Sequence, residues 1–77
     1  MRKRPPGHVA FGQAVRQLRQ ERGLSQEQLG YASGLHRNYV GGVERDELNP
    51  TLSSIEKLAA GLNVKPSELL ALAEELR

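Results

Sequence analysis

Apolar residues recur at helical spacing along five segments of the chain, and no segment shows the two-residue alternation of a strand. The first segment runs from about Val9 to Arg22, and Gly23 follows where a helix often ends in a glycine. The last two segments begin near Thr51, a favoured N-cap, and Pro66, which suits a first helical position. The pattern therefore predicts a compact all-α domain of five helices.

The second and third predicted helices are short and lie close together in the chain. Ser25 is a favoured N-cap, and Gln28, three residues later, completes a capping box. Gly34 supplies the left-handed conformation of a sharp turn, and the third helix covers about residues 36–45. Two helices joined by one tight turn are typical of a helix-turn-helix, whose second helix enters the DNA major groove. The apolar positions that would hold the pair together are Leu29, Leu35, Val40 and Val43.

The composition narrows the class of protein further. Seventy-seven residues are enough for one small domain, and the absence of cysteine excludes a disulfide scaffold and thiolate metal sites. No apolar run approaches the roughly 18 residues of a transmembrane helix, so we expect no membrane partner. The lack of cysteine fits a reducing compartment, so we expect a cytoplasmic location. No catalytic constellation or metal-ligand cluster is evident, so the sequence predicts neither an enzyme nor a cofactor.

Charge is distributed unevenly along the chain, although its net value is only +2. Residues 1–45 hold eight basic and three acidic side chains, whereas residues 46–77 hold three basic and six acidic ones. The two parts therefore carry +5 and −3, which indicates that one face meets an anion. Residues 1–8, with three basic groups and two prolines, are predicted to form a flexible arm before a domain over residues 9–77. The arm is either a solvated tail or a segment that follows DNA.

Several motifs in the right order resemble the lambda-repressor-like, or Xre-type, helix-turn-helix family. They are Gly23-Leu24-Ser25-Gln26-Glu27-Gln28-Leu29, Gly34-Leu35, Val40-Gly41-Gly42-Val43-Glu44-Arg45, Asn49-Pro50-Thr51-Leu52 and residues 57–64. Within that family, residues 35–45 are most similar to the controller proteins of restriction-modification systems. The resemblance covers about residues 9–70 and implies a five-helix DNA-binding domain.

The resemblance also implies which positions contact DNA. Gln26 matches a phosphate-contacting position, and Arg37 and Asn38 match positions that read base edges. Arginine can bond guanine in a bidentate manner, and asparagine can bond adenine in the same way. For Tyr39, contact with the DNA backbone and packing on the core remain equally open. The predicted DNA-binding residues are Ser25, Gln26, His36, Arg37, Asn38, Tyr39, Gly42 and Arg45.

The chain departs from the family pattern at several places. His36 stands at an N-cap position that usually holds Ser, Thr or Asp, and we expect it near a phosphate or a base. Gly42 matches a base-contacting position but has no side chain, so specificity there must come from DNA shape or from neighbouring residues. The loop after the third helix usually carries basic residues, but here it reads Asp46-Glu47-Leu48. Fewer phosphate contacts would lower affinity and flatten its dependence on salt.

Two further expectations concern structure and assembly. Arg19 and Glu44 match a pair that forms a buried salt bridge between the first and third helices in family members. The fifth helix carries an apolar stripe through which family members of this length dimerise. The predicted dimer-interface residues are Leu69, Leu72, Ala73 and Leu76. The alternative is that this helix folds back onto the core of its own chain.

The sequence thus predicts a transcriptional regulator that binds a palindromic DNA operator as a homodimer. An alternative is a DNA-binding antitoxin that also binds a toxin, and a polymerase subunit is a further candidate partner. A third hypothesis is a protein-interaction module without DNA binding, which the acidic loop favours.

Overall fold

A computed structural model describes residues 6–77, which form five helices and contain no strand. The helices are α1 (Pro6–Glu21), α2 (Gln26–Ser33), α3 (Arg37–Glu44), α4 (Leu52–Gly61) and α5 (Pro66–Glu75). The all-α class and the order of the predicted helices are therefore confirmed. No helix of the described part is long and apolar enough to cross a membrane.

The first helix begins earlier than the sequence predicts. Pro6 is its first residue, so residues 6–8 are helical and do not belong to a flexible arm. The physical reason is that proline suits the first helical position, where its missing N–H would have no partner in any case. The rest of the predicted arm, residues 1–5, lies outside the described residues.

The caps of the helix-turn-helix are those that the sequence predicts. The hydroxyl of Ser25 accepts the N–H of Gln28 at 3.0 Å, and the Gln28 amide oxygen accepts the N–H of Ser25 at 2.8 Å. Gly34 ends α2 with φ at 73°, in the left-handed region that glycine adopts without strain. These contacts define both ends of α2 and thereby the point where the chain turns into α3.

All five helices contribute residues to the core, and α5 packs mainly on α1. Val40 and Val43 bury the inner face of α3, and Leu29 buries that of α2. The largest fully buried side chains are Leu29, Leu58, Leu62, Leu69, Val15, Val40 and Val43. Because both helices of the motif are anchored from within, the outer face of α3 remains available for contacts with another molecule.

Candidate nucleic-acid interface

The N-terminus of α3 is capped by His36. Its Nδ1 accepts the backbone N–H of Asn38 at 3.0 Å, so histidine replaces the usual small polar cap with a ring nitrogen. The exposed ring stands at the end of the helix, and its contact with a phosphate or base stays a prediction.

Arg37 and Asn38 are both exposed on the first turn of α3. The Arg37 Nη1 lies 2.9 Å from Oε2 of Glu27 on α2, a pairing that the sequence analysis did not anticipate. The two side chains are 60% and 73% exposed. An ion pair so open to water contributes about 0–1 kcal/mol, so Arg37 can exchange Glu27 for another anionic or hydrogen-bonding partner.

Glu44 is the centre of a network on the inner side of α3. Arg19 donates to it from Nε at 2.7 Å and from Nη2 at 3.0 Å, and a third Arg19 bond reaches the Leu24 carbonyl. Gln26 donates its Nε2 to Glu44 at 3.1 Å. The Arg19 and Glu44 side chains are only 13% and 3% exposed. The structure thus joins α1, α2 and α3 through one nearly buried carboxylate.

This network defines the orientation of Gln26, a predicted phosphate-contacting residue. Glu44 can only accept, so the Gln26 amide nitrogen points toward it, and the amide oxygen faces Gly41 on α3. One amide N–H is thereby engaged within the protein. The hydroxyl of Ser25, the residue before it, is likewise engaged by the helix cap. Phosphate contacts at these two residues stay predictions.

Tyr39 has an interior partner. Its hydroxyl donates to Oγ of Ser54 at 2.8 Å, and its ring packs against the core. Ser54 is buried and also accepts from Thr51 at 3.0 Å, so this tyrosine ties α3 to the start of α4. Of the two interpretations left open, the structure supports packing on the core.

Arg45, which follows the last residue of α3, forms a bidentate pair with Glu47. Its Nε and Nη2 each lie 3.1 Å from a carboxylate oxygen, and both side chains are more than half exposed. These hydrogen bonds, with the attraction between the charges, lower the pKa of Glu47 and raise that of Arg45. The acidic loop therefore offsets the charge of one predicted DNA-binding residue.

Gly42, a predicted DNA-binding residue, is not exposed on the surface of α3. It is buried because Leu48, from the loop after the helix, lies directly over it. Leu48 itself is 39% exposed. In the sequence, Leu48 stands out only as part of the loop that lacks the family's basic residues, and no role was predicted for it. The signal that could have identified it is the adjacent glycine pair, which leaves room for a covering side chain.

The apolar stripe of α5 divides into buried and accessible parts. Leu69 is completely buried and Ala73 is 6% exposed, so both belong to the core of the single chain, contrary to their assignment to a dimer interface. The reason is that α5 packs on α1, which covers them. Leu72 and Leu76 are half-buried, and Leu70 is 42% exposed. Of the predicted stripe, only Leu72 and Leu76 keep surface for a partner, since Leu70 lies on another face of α5, and dimerisation itself stays a prediction.

Tyr31 on α2 was also missed. It is 92% exposed. It borders a shallow depression between α2 and the start of α3, together with Glu27, Leu35, His36 and Arg37. An aromatic residue within a helical segment ordinarily indicates core packing, so the sequence alone carried no signal for this position. Among residues 6–77, no group of three His, Asp or Glu side chains could hold a metal ion.

Comparisons with known proteins agree with this geometry. The helix-turn-helix family pattern matches residues 15–69. The control protein C.SmaI of Serratia marcescens is 54% identical over 56 residues, which cover 73% of this chain and 67% of that protein. The solved structure of the restriction-modification controller protein C.AhdI from Aeromonas hydrophila is 56% identical, with a TM-score of 0.77, covering 79% of this chain and 92% of that one.

A further solved structure contains DNA. It is the controller protein C.Esp1396I as a tetramer in complex with its natural 35-base-pair operator, 30% identical with a TM-score of 0.85, covering 91% of this chain and 92% of that one. The fold and the exposed face of α3 define a DNA-binding transcriptional regulator, and the chain belongs to the helix-turn-helix family. Within that family it is similar to restriction-modification controller proteins.

Proposed function

We propose that this protein recognises a two-fold symmetric DNA site, with α3 in the major groove, and regulates transcription as a controller protein does. The observation that carries the proposal is the contrast between the two faces of α3. Its inner face is anchored by Val40, Val43 and the Glu44 network, while Arg37 and Asn38 stand exposed on its first turn. A rigid helix that presents these two side chain types meets the requirement for reading guanine and adenine edges.

A homodimer supplies the two-fold symmetry. Two recognition helices about 34 Å apart would meet successive major grooves on one side of the duplex. Leu72 and Leu76, four residues apart on one face of α5, keep accessible surface, and we assign this contact to them. Replacing Leu72 by aspartate should convert a dimer into a monomer in sedimentation experiments while the chain stays folded by circular dichroism. A dimer that persists would place the contact elsewhere.

The first experiment is selection of bound duplexes from a random pool at about 0.15 M salt. Enrichment of one two-fold symmetric site would support the proposal, and its half-site spacing would test the dimer. A pure, folded protein that enriches no sequence would contradict it. That outcome would favour a protein-interaction module, for which the pairing of Arg45 with Glu47 is the structural argument.

Arg37 provides the residue-level test. Arg37→Ala should weaken binding to the selected site about 5- to 150-fold, because a bidentate base contact discriminates by about 1–3 kcal/mol. Binding to random duplex should fall much less. The control is Lys57→Ala, which removes one positive charge from an exposed position on α4. Equal losses on both DNAs, or an equal loss in the control, would remove Arg37 from the base-reading set.

Three finer expectations accompany this proposal. Regulation by binding requires no catalytic step, so we expect no enzymatic activity. We expect the protein to act in the cytoplasm, where its DNA is. A toxin or a polymerase subunit as a second partner stays a prediction.

A further inference from the structure

We propose that Leu48 determines specificity by contacting the methyl group of a thymine in the major groove. The inference deepens the proposed function and rests on it. It assigns a base contact to a residue outside α3, at the place where the recognition helix itself has no side chain.

Gly42 lies on the outer face of α3. Residues three, four and seven apart share one face of a helix, so Gly42 is on the same side as Asn38 and Arg45, which are exposed. Val40 and Val43, on the opposite side, are fully buried or 1% exposed. A side chain at position 42 would therefore point toward whatever α3 contacts.

Leu48 occupies the space that this side chain would fill. A Cβ atom added to Gly42 would lie 2.6 Å from Cδ1 and 2.9 Å from Cγ of Leu48, closer than atoms can approach. Leu48 belongs neither to the core nor to the partly buried residues packed against it, and 39% of it remains exposed. The leucine thus supplies the outer face of α3 with the apolar surface that the glycine lacks.

The loop holds Leu48 in this position through its backbone. Glu47 donates its N–H to the carbonyl of Gly42 at 2.8 Å, and Asp46 donates to Val43 at 3.1 Å. Asp46 adopts a left-handed conformation, with φ at 59°, which turns the chain back over the end of α3. Since the turn is made by backbone bonds to α3 itself, Leu48 moves with the recognition helix as one unit.

A leucine recognises bases differently from the polar residues beside it. Its side chain cannot hydrogen-bond, and the methyl group of thymine is the apolar feature that the major groove offers among the four bases. Burying a methyl-sized apolar group is worth a factor of about four in affinity. We therefore expect Leu48 to favour thymine at one position of each half-site.

The experiment uses the selected site and replaces each thymine in turn by deoxyuridine, which removes only the methyl group. The wild-type protein should lose about fourfold affinity per half-site at one thymine position. Leu48→Ala should bind the thymine and uracil sites equally, and Leu48→Met should keep most of the preference. The control is Val9→Ala, an equally exposed residue on α1, which should retain the full preference.

A second variant tests directly whether Leu48 takes the place of a side chain at position 42. Adding Gly42→Ala to Leu48→Ala places a methyl group on α3 where Leu48 was removed, so part of the thymine preference should return. Thermal melting would verify that each variant is folded.

If a site is enriched but Leu48→Ala keeps the methyl preference, or the wild type shows none, the inference is overturned while the proposed function stands. Failure to enrich any site would overturn both.

Discussion

The two ion pairs of α3 use the same residue types for opposite purposes. In the inner pair, at the last residue of the helix, Arg19 and Glu44 form a bidentate contact that is almost removed from water. In the outer pair, at the first residue of the helix, Arg37 and Glu27 lie at a similar distance, and both side chains are mostly exposed. Burial decides the difference, because water and salt screen the outer pair but hardly reach the inner one. The inner pair therefore holds the helix, and the outer pair can be exchanged for DNA.

The largest effect should come from breaking the inner pair. Glu44→Ala leaves the Arg19 charge nearly buried without its partner, so we expect a loss of about 3–5 kcal/mol in the free energy of unfolding. In a domain of this size, that lowers Tm by more than about 10 °C. Glu27→Ala, which removes an exposed glutamate, is the matched control and should cost less than about 1 kcal/mol. If the two variants had the same Tm, the contrast between the buried and the exposed ion pair would be refuted.

An intermediate effect should follow from removing the hydroxyl of Tyr39. Tyr39→Phe loses the hydrogen bond to Ser54, and Ser54 retains Thr51 as a partner, so stability should fall by about 1 kcal/mol. Affinity for the selected DNA site should stay within about twofold. Unchanged melting together with weakened binding would return Tyr39 to the DNA-contacting set.

Releasing Arg37 from its outer partner should have a smaller effect. Glu27→Gln removes the negative charge beside Arg37, so binding to random duplex should strengthen by up to about fivefold, the equivalent of an exposed ion pair. In the Arg37→Ala background, the same change should strengthen binding less, because no arginine remains to be released. Identical gains in both backgrounds would show that Glu27 acts only by its own charge.

The smallest effect concerns pH. Because Arg45 lowers the pKa of Glu47 from its usual 4.5, the pair contributes stability above that pH. The contribution disappears as the pH falls through the lowered pKa of the folded state. Carboxyl NMR titration should show Glu47 titrating below its usual range, and Arg45→Ala should return it there. A Glu47 pKa that is the same in both proteins would mean that the pair does not persist in solution.

Local signals predicted much of the fold because each is contained in a few neighbouring residues. The Ser25 capping box and the Gly34 turn are examples, since both depend on residues within four positions of one another. The start of α1 lies three residues before the predicted Val9, because basic groups and prolines indicate a segment that cannot bury apolar area, whereas Pro6 suits the first position of a helix. In α5, periodicity identified the apolar stripe but could not say which of its members α1 covers.

The sequence by itself determined the five helices, the helix-turn-helix and the family, because apolar spacing, caps and turn residues act over short distances along the chain. Only the tertiary structure decided which charges are buried and which can be exchanged, and that Tyr39 turns toward Ser54. It also decided that Leu48 lies over Gly42 and that Leu69 belongs to the core. These outcomes depend on contacts between different elements, and pairing across elements is set by packing, which no local pattern encodes.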